Sequence, residues 1–134
     1  MKLSSKSITA IKLFIDLGEH YEEGFVSLID IAKRKEVSKK FLEQIVPLYK
    51  SNGLIVGTRG NQGGYKLAKH AKEITLKDII YISESSLQKE KCNYQPVDEV
   101  MDNLNKLLDG YFQNISLLTV IDKQKELYEN SYVI

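Results

Sequence analysis

The run SKKFLEQIVPLYKSNGLIVGTRGNQGGYKL, residues 38–67, decides the fold. It opens on Ser38, a residue type that caps helices by accepting a hydrogen bond from a first-turn amide. On a helical wheel Phe41, Leu42, Ile45, Val46, Leu48 and Tyr49 share one arc, while Lys40, Glu43, Gln44, Pro47, Lys50 and Ser51 share the opposite one. Pro47 removes one backbone hydrogen bond and crowds the carbonyl of Glu43, which predicts a bend or an early end. Asn52-Gly53 stops the helix, because glycine accepts the left-handed backbone of a C-terminal cap. Leu54 to Arg59 and Tyr65 to Ala68 then read as two strands around the tip Gly60-Asn61-Gln62-Gly63-Gly64, a hairpin. A phosphate-cradling loop is the competing reading of these glycines. It fails, because no Gly-Lys-Ser/Thr follows and the next element is a strand.

Upstream, Ser27 sits at a second cap position, and Leu28, Ile31 and Ala32 form one face of a short helix ending near Lys35. Lys35-Glu36-Val37 is a tight break before Ser38. Two short helices joined by a tight turn, the second cleanly two-faced, make a helix-turn-helix, and the hairpin behind it makes a wing. Further back, Ile8, Ile11, Phe14, Ile15 and Leu17 recur at helical spacing between Ser4 and Glu19.

Downstream, Thr75 caps a short helix through Leu76, Ile79, Ile80 and Ile82. Residues 83–96 are polar and end at Pro96, a good first helical residue. Val97, Met101, Leu104, Leu108, Tyr111 and Ile115 then form a heptad stripe, widened by Val100, Leu107 and Phe112. Such a stripe either meets a second copy of itself or packs on its own domain. Ser116 reads as the cap of a last helix carrying Leu117, Leu118, Ile121 and Leu127, and Tyr132-Val133-Ile134 as an apolar tail that packs back. The expected fold class is mainly α with a small β-hairpin wing. The expected organisation is a winged helix-turn-helix over residues 1–82, an effector or sensor loop over 83–96, and a dimerisation helix with a C-terminal helix over 97–134.

The net charge of the 134 residues is only +1, but it is unevenly spread. Lys33 to Lys72 holds ten basic residues against two acidic ones, Glu36 and Glu43. That is the electrostatic footprint of a phosphate-binding surface, although a solvated lysine-rich face gives the same count. No run of about 18 apolar residues marks a membrane span, and MKLSSKSITAIKLF is amphipathic, unlike a secretory leader. The single cysteine makes no internal disulfide and points to a reducing cytoplasm. No nucleophile with a base, metal-ligand spacing or cofactor fingerprint suggests an enzyme.

The segment SKKFLEQI, the wing RGNQGGYKL and ITLKDII, in this order and spacing, closely resemble the Rrf-two family of bacterial winged-helix regulators. LSSKSITAIKLFIDL and YFQNISLLTVID fit its first helix and the junction between its last two helices, so the resemblance covers nearly the whole chain. The resemblance implies a cytoplasmic homodimer whose long helices cross and whose two recognition helices read a palindromic double-stranded DNA operator. The family includes an iron–sulfur cluster regulator, a nitric-oxide-sensing repressor and a cysteine-metabolism repressor. Cluster-bearing relatives carry three cysteines before the dimerisation helix; here the loop SLQKEKCNYQPVDEV offers Cys92 alone, which argues against a cluster. That places the chain nearer the cysteine-metabolism type, a repressor of sulfur, cysteine or stress genes that answers to a regulatory protein partner or a small-molecule effector.

On that reading, Gln44 pairs with an adenine and Glu43 accepts from cytosine. Ser38 and the first-turn amides hold a phosphate. Lys39, Lys40 and Lys50 add phosphate contacts, which position without reading sequence. Arg59 lies in a minor groove, and Gly60 lets the backbone come close. Ser38 also serves as a plain cap and Glu43 also reads as a solvated acid. Phe41 stands where the family commonly has tyrosine, and its apolar arc says core. Cys92 reads either as a leftover loop cysteine or as a sensor thiol with Lys89 and Lys91 lowering its pKa. The alternatives to a DNA-binding regulator of this kind are a winged-helix module that binds protein and a redox sensor acting through Cys92.

Overall fold

The computed structural model describes residues 2–60, 63–84 and 96–131. Cys92, most of the loop around it, the wing-tip residues Asn61 and Gln62, and the tail Tyr132-Val133-Ile134 lie outside the described residues.

The first helix, α1 (Ser5–Glu19), starts where the Ser4 hydroxyl accepts from the Ser7 amide at 3.2 Å. It is the spine of the domain, with Ala10, Leu13, Phe14 and Leu17 in one buried line. Each large side chain fully buried in that line contributes about 1.5–3 kcal/mol. The expected stripe was partly displaced: Ile8 is 45% exposed on the far side of the helix, and Leu13 takes its place in the core.

A short 3-10 turn at Tyr21–Glu23 leads to α2 (Leu28–Lys35), capped as expected by Ser27. Glu36 then adopts left-handed backbone, φ 53°, and the Val37 amide reaches back to the Ala32 carbonyl at 3.1 Å. This closes α2 and turns the chain within two residues into α3 (Lys39–Ser51), whose cap is Ser38 with the Phe41 amide at 3.2 Å. Leu42, Ile45, Val46 and Tyr49 of α3 are buried against α1. Tyr49 packs edge-on to Phe14, ring centroids 4.8 Å apart, and its hydroxyl donates to the Ile79 carbonyl at 2.7 Å.

The helix does not end early at Pro47; α3 continues through it to Ser51. Pro47 and Glu43 are both on the exposed side, where a carbonyl left without its helical partner costs less than it would in the core. Burial of Ile45, Val46 and Tyr49 around that step keeps the turn helical, and the Asn52 amide group donates to the Leu48 carbonyl at 2.7 Å.

Next come β1 (Ile55–Thr58) and β2 (Gly64–Leu67), antiparallel with Ile55 opposite Leu67, Gly57 opposite Tyr65 and Thr58 opposite Gly64. A rung not foreseen from the pattern joins Val26 to β2: Val26 and Tyr65 exchange two backbone hydrogen bonds of 2.8 Å. Gly64 permits this, since a Cβ there would press into the Val26 carbonyl.

After a second 3-10 turn at Ala71–Glu73, Thr75 and Asp78 form a reciprocal capping box at the start of α4 (Leu76–Ser83). The long α5 (Pro96–Gln113) and α6 (Leu117–Ser131) follow, α6 capped by Ser116 through the Thr119 amide at 3.1 Å. Their junction is stapled to the start of α4: Leu76 donates to the Ile115 carbonyl at 2.9 Å and Leu117 to the Ile74 carbonyl at 2.7 Å. Leu117 and Ile121 of α6 complete the core around α1. The architecture is a winged helix-turn-helix followed by a long helix, mainly α as expected.

Candidate nucleic-acid interface

Helix α3 is buried on one side by its apolar arc, so its other side faces outward. Lys39, Lys40, Glu43, Gln44, Pro47, Lys50 and Ser51 are all exposed there. Ser38 is exposed at the N-terminal end, its hydroxyl engaged in capping. The first-turn amides of a helix carry partial positive charge, which suits an anion.

Within this arc Lys39 Nζ lies 3.5 Å from Glu43 Oε1, a turn apart on the surface. An exposed pair of this kind is worth about 0.3–0.5 kcal/mol. It opens readily when a phosphate or a base edge competes. Gln44, beside it, presents a donor and an acceptor together, the combination that matches adenine in a major groove. Lys50, in the last turn, places its ammonium 5.8 Å from the centroid of the Tyr65 ring on β2. Arg59 and Gly60 are exposed where the wing turns, Gly60 has φ 111°, and the Gly63 amide donates back to the Gly60 carbonyl at 2.8 Å. The fold thus leaves the helix residues and the wing residues named from the sequence exposed, and α3 meets the hairpin where Lys50 lies over Tyr65.

Other cations of the basic segment are engaged elsewhere. Arg34 makes two hydrogen bonds to the buried Asp16, at 2.8 and 2.9 Å, and Lys35 pairs with Glu19 at 2.7 Å. Lys66 points to the opposite face of β2 from Tyr65, as strand alternation requires, and lies over the rings of Tyr21 and Phe25. Tyr65 stands in the quoted wing motif, and its contact with Lys50 depends on the folded hairpin rather than on a local pattern.

On α5 the expected dimerisation residues divide. Val97 and Tyr111 are exposed at 62% and 61%, joined by Val100 at 64% and Leu107 at 73%. Met101, Leu104 and Leu108 are half-buried, and Phe112 alone of the stripe is buried. The helix is held to α4 by Lys77, whose ammonium lies 2.7 Å from Asp109. Among the described residues no three His, Cys, Asp or Glu side chains converge as ligands for a metal ion, and no helix is long and apolar enough to cross a membrane.

At the other end of α4 the Glu84 carboxylate is ringed by donors: the Ser7 hydroxyl at 2.6 Å and the Ser4 amide and hydroxyl, each at 3.1 Å. The Ser7 hydrogen bond does most to hold that carboxyl below its ordinary range, against the opposing effect of burial. Burial pushes the Tyr49 phenol up to about 12, so it stays a donor to Ile79.

Comparison with known proteins agrees with this geometry. The model of the Rrf2 family, described as an iron-dependent transcriptional regulator, matches residues 3–122. The HTH-type transcriptional regulator IscR of Photorhabdus laumondii is 32% identical over 136 aligned residues, which span 95% of this chain and 83% of that protein. Among solved structures, T. potens IscR superposes with a TM-score of 0.81 at 31% identity, covering 95% of this chain and 90% of that one. CymR, the global cysteine regulator of B. subtilis, superposes at 0.78 with 26% identity, covering 92% and 98%. These relatives favour regulation of transcription over a protein-docking module or an enzyme. The chain belongs to the Rrf2 family and is a winged-helix, DNA-binding transcriptional regulator.

Proposed function

We propose that the chain is a homodimeric repressor whose two α3 helices read the half-sites of a palindromic operator. The observation that carries this is the outward arc of α3, with Gln44 and Glu43 between Lys39, Lys40 and Lys50, continued by Arg59 and Gly60 on the wing. Gln44 and Glu43 read bases, Ser38 and the lysines hold phosphates, and Arg59 enters the adjacent minor groove. Pairing of the α5 helices through Val97, Met101, Leu104, Leu108 and Tyr111 is supported by the exposure of Val97, Val100, Leu107 and Tyr111 along that stripe, beside the half-buried Met101, Leu104 and Leu108. An apolar groove of about 440 Å³ beside Tyr111, Ile115, Val120 and Leu127 continues that surface.

The family's iron dependence is tested by the donor set. Iron–sulfur clusters are held mostly by thiolates, and the sequence contains one cysteine, Cys92. A standard three-cysteine site does not fit this chain. Regulation of sulfur, cysteine or stress genes, as the likeness to the cysteine regulator of B. subtilis suggests, then runs through a protein partner or a small molecule acting at residues 83–96.

The test is Leu107→Asp, which places a charge on the exposed stripe without entering the monomer core. Sedimentation of the wild type gives a dimer that retains palindromic genomic fragments. The variant sediments as a folded monomer and retains them far more weakly. A wild-type monomer that binds operators fully would overturn the proposal.

A further inference from the structure

The recognition helix and the wing meet at a contact no single element explains. The Lys50 ammonium stands over the Tyr65 ring, 5.8 Å from its centroid. That ring lies across Gly57, its cross-strand partner. A Cβ built on Gly57 would come within 3.0 and 3.1 Å of two ring carbons and 3.4 Å of Lys50 Nζ. Three residues from three elements, α3, β1 and β2, therefore converge on one spot, and the missing side chain at position 57 is what leaves room for the other two.

The two partners differ in stiffness. The Tyr65 backbone is pinned by two 2.8 Å hydrogen bonds with Val26 and its ring turns on two bonds against Gly57, whereas a lysine head sits on four rotatable bonds whose ordering costs entropy. An aromatic face attracts an ammonium without neutralising it. Lys39, by contrast, faces the carboxylate of Glu43 at 3.5 Å.

We propose that Tyr65 is a positioning residue for DNA recognition: its ring holds the Lys50 ammonium at the junction of α3 and the wing, already ordered for a backbone phosphate. This rests on the proposed role of Lys50 in the interface.

The experiment is a double-mutant cycle of Lys50→Ala and Tyr65→Leu, with Tyr65→Phe as the conservative variant. Binding to a labelled random-sequence duplex is measured across a salt series, because phosphate contacts need no operator, and thermal melting follows the fold. Lys50→Ala weakens binding several-fold and lowers the log–log salt slope by about 0.9 for each Lys50 lost, about 1.8 for the dimer. Tyr65→Leu weakens binding about threefold, through the cation–π hold it removes. Tyr65→Phe binds as wild type, and Tyr65→Leu adds nothing once Lys50 is alanine. Gly57→Ala, which displaces ring and ammonium without altering either residue, repeats the result if Tyr65→Leu lowers the melting temperature. A Tyr65→Leu or Gly57→Ala loss that persists undiminished in the Lys50→Ala background, or no loss in either, overturns the proposal. Wild-type affinity and salt slope in Lys50→Ala would instead overturn the interface role of Lys50 itself.

Discussion

Arg34 grips the buried carboxylate of Asp16 with both arms of its guanidinium, Nε to Oδ2 at 2.8 Å and Nη2 to Oδ1 at 2.9 Å. The pair ties α2 to α1 just ahead of the turn at Glu36 that leads into α3. Hydrogen bonding to Asp16 in turn lifts the Arg34 pKa above its ordinary value. Arg34→Ala strips the buried Asp16 carboxylate of both guanidinium hydrogen bonds and leaves it His20 Nδ1, 3.5 Å from Oδ1. We expect a loss of roughly 2–3 kcal/mol, below the 3–5 kcal/mol of a fully buried pair because the outer side of Arg34 is wet. Arg34→Lys falls between, since a point charge cannot make both bonds. Urea unfolding followed by circular dichroism measures both; equal stability of all three proteins would contradict the role given to the pair.

The Glu84 clamp makes a prediction about pH. Its folded carboxyl titrates below the ordinary range, so the stability it adds is full above the unfolded carboxylate pKa, about 4.3, and is lost as pH falls through the lower folded value. Glu84→Gln is therefore expected to cost about 1–2 kcal/mol at neutral pH, from hydrogen bonds to a charged group. The difference from wild type shrinks as the solution is taken below about pH 4.3. Parallel unfolding curves of the two proteins across that window check the sign; a gap that widens toward acid would refute it.

Gln44 and Lys50 should fail in different ways. Gln44→Ala relaxes base preference at one position in each half-site, by about 1–3 kcal/mol of discrimination. Lys50→Ala weakens all sequences alike and flattens the salt dependence. Selection of binding sites from a randomised operator library separates the two. If both variants lose affinity for random duplexes equally and keep the same sequence logo, Gln44 does not read a base.

Cys92→Ser is expected to leave DNA binding unchanged under reducing conditions, as the reading of Cys92 as a leftover loop cysteine requires. A collapse of binding in a gel-shift assay with reductant present would give Cys92 a direct part.

What the sequence disclosed follows from the range of each interaction. Ser27, Ser38, Thr75 and Ser116 cap as read because a cap is decided within four residues. The two faces of α3 were legible because its buried arc is uninterrupted. Ile8 and Leu13 were exchanged because several apolar residues on α1 satisfy a helical period, and only the packed partners choose among them. Of the basic segment, the charges of Arg34 and Lys35 count toward acids on α1, at 18 and 16 residues' separation, which no local pattern encodes. Lys50 was legible as a surface cation, but its platform on Tyr65 depends on how the wing folds back over Gly57.

The central claim is sequence-specific binding by the α3 arc, and one measurement meets it directly. Purified protein is incubated with sheared genomic DNA of its own organism, and the fragments retained at moderate salt are sequenced beside those retained by Gln44→Ala. The account predicts a palindromic motif for the wild type and the loss of one defined base preference per half-site for the variant. Retention without a motif, or an identical motif for both proteins, would contradict it.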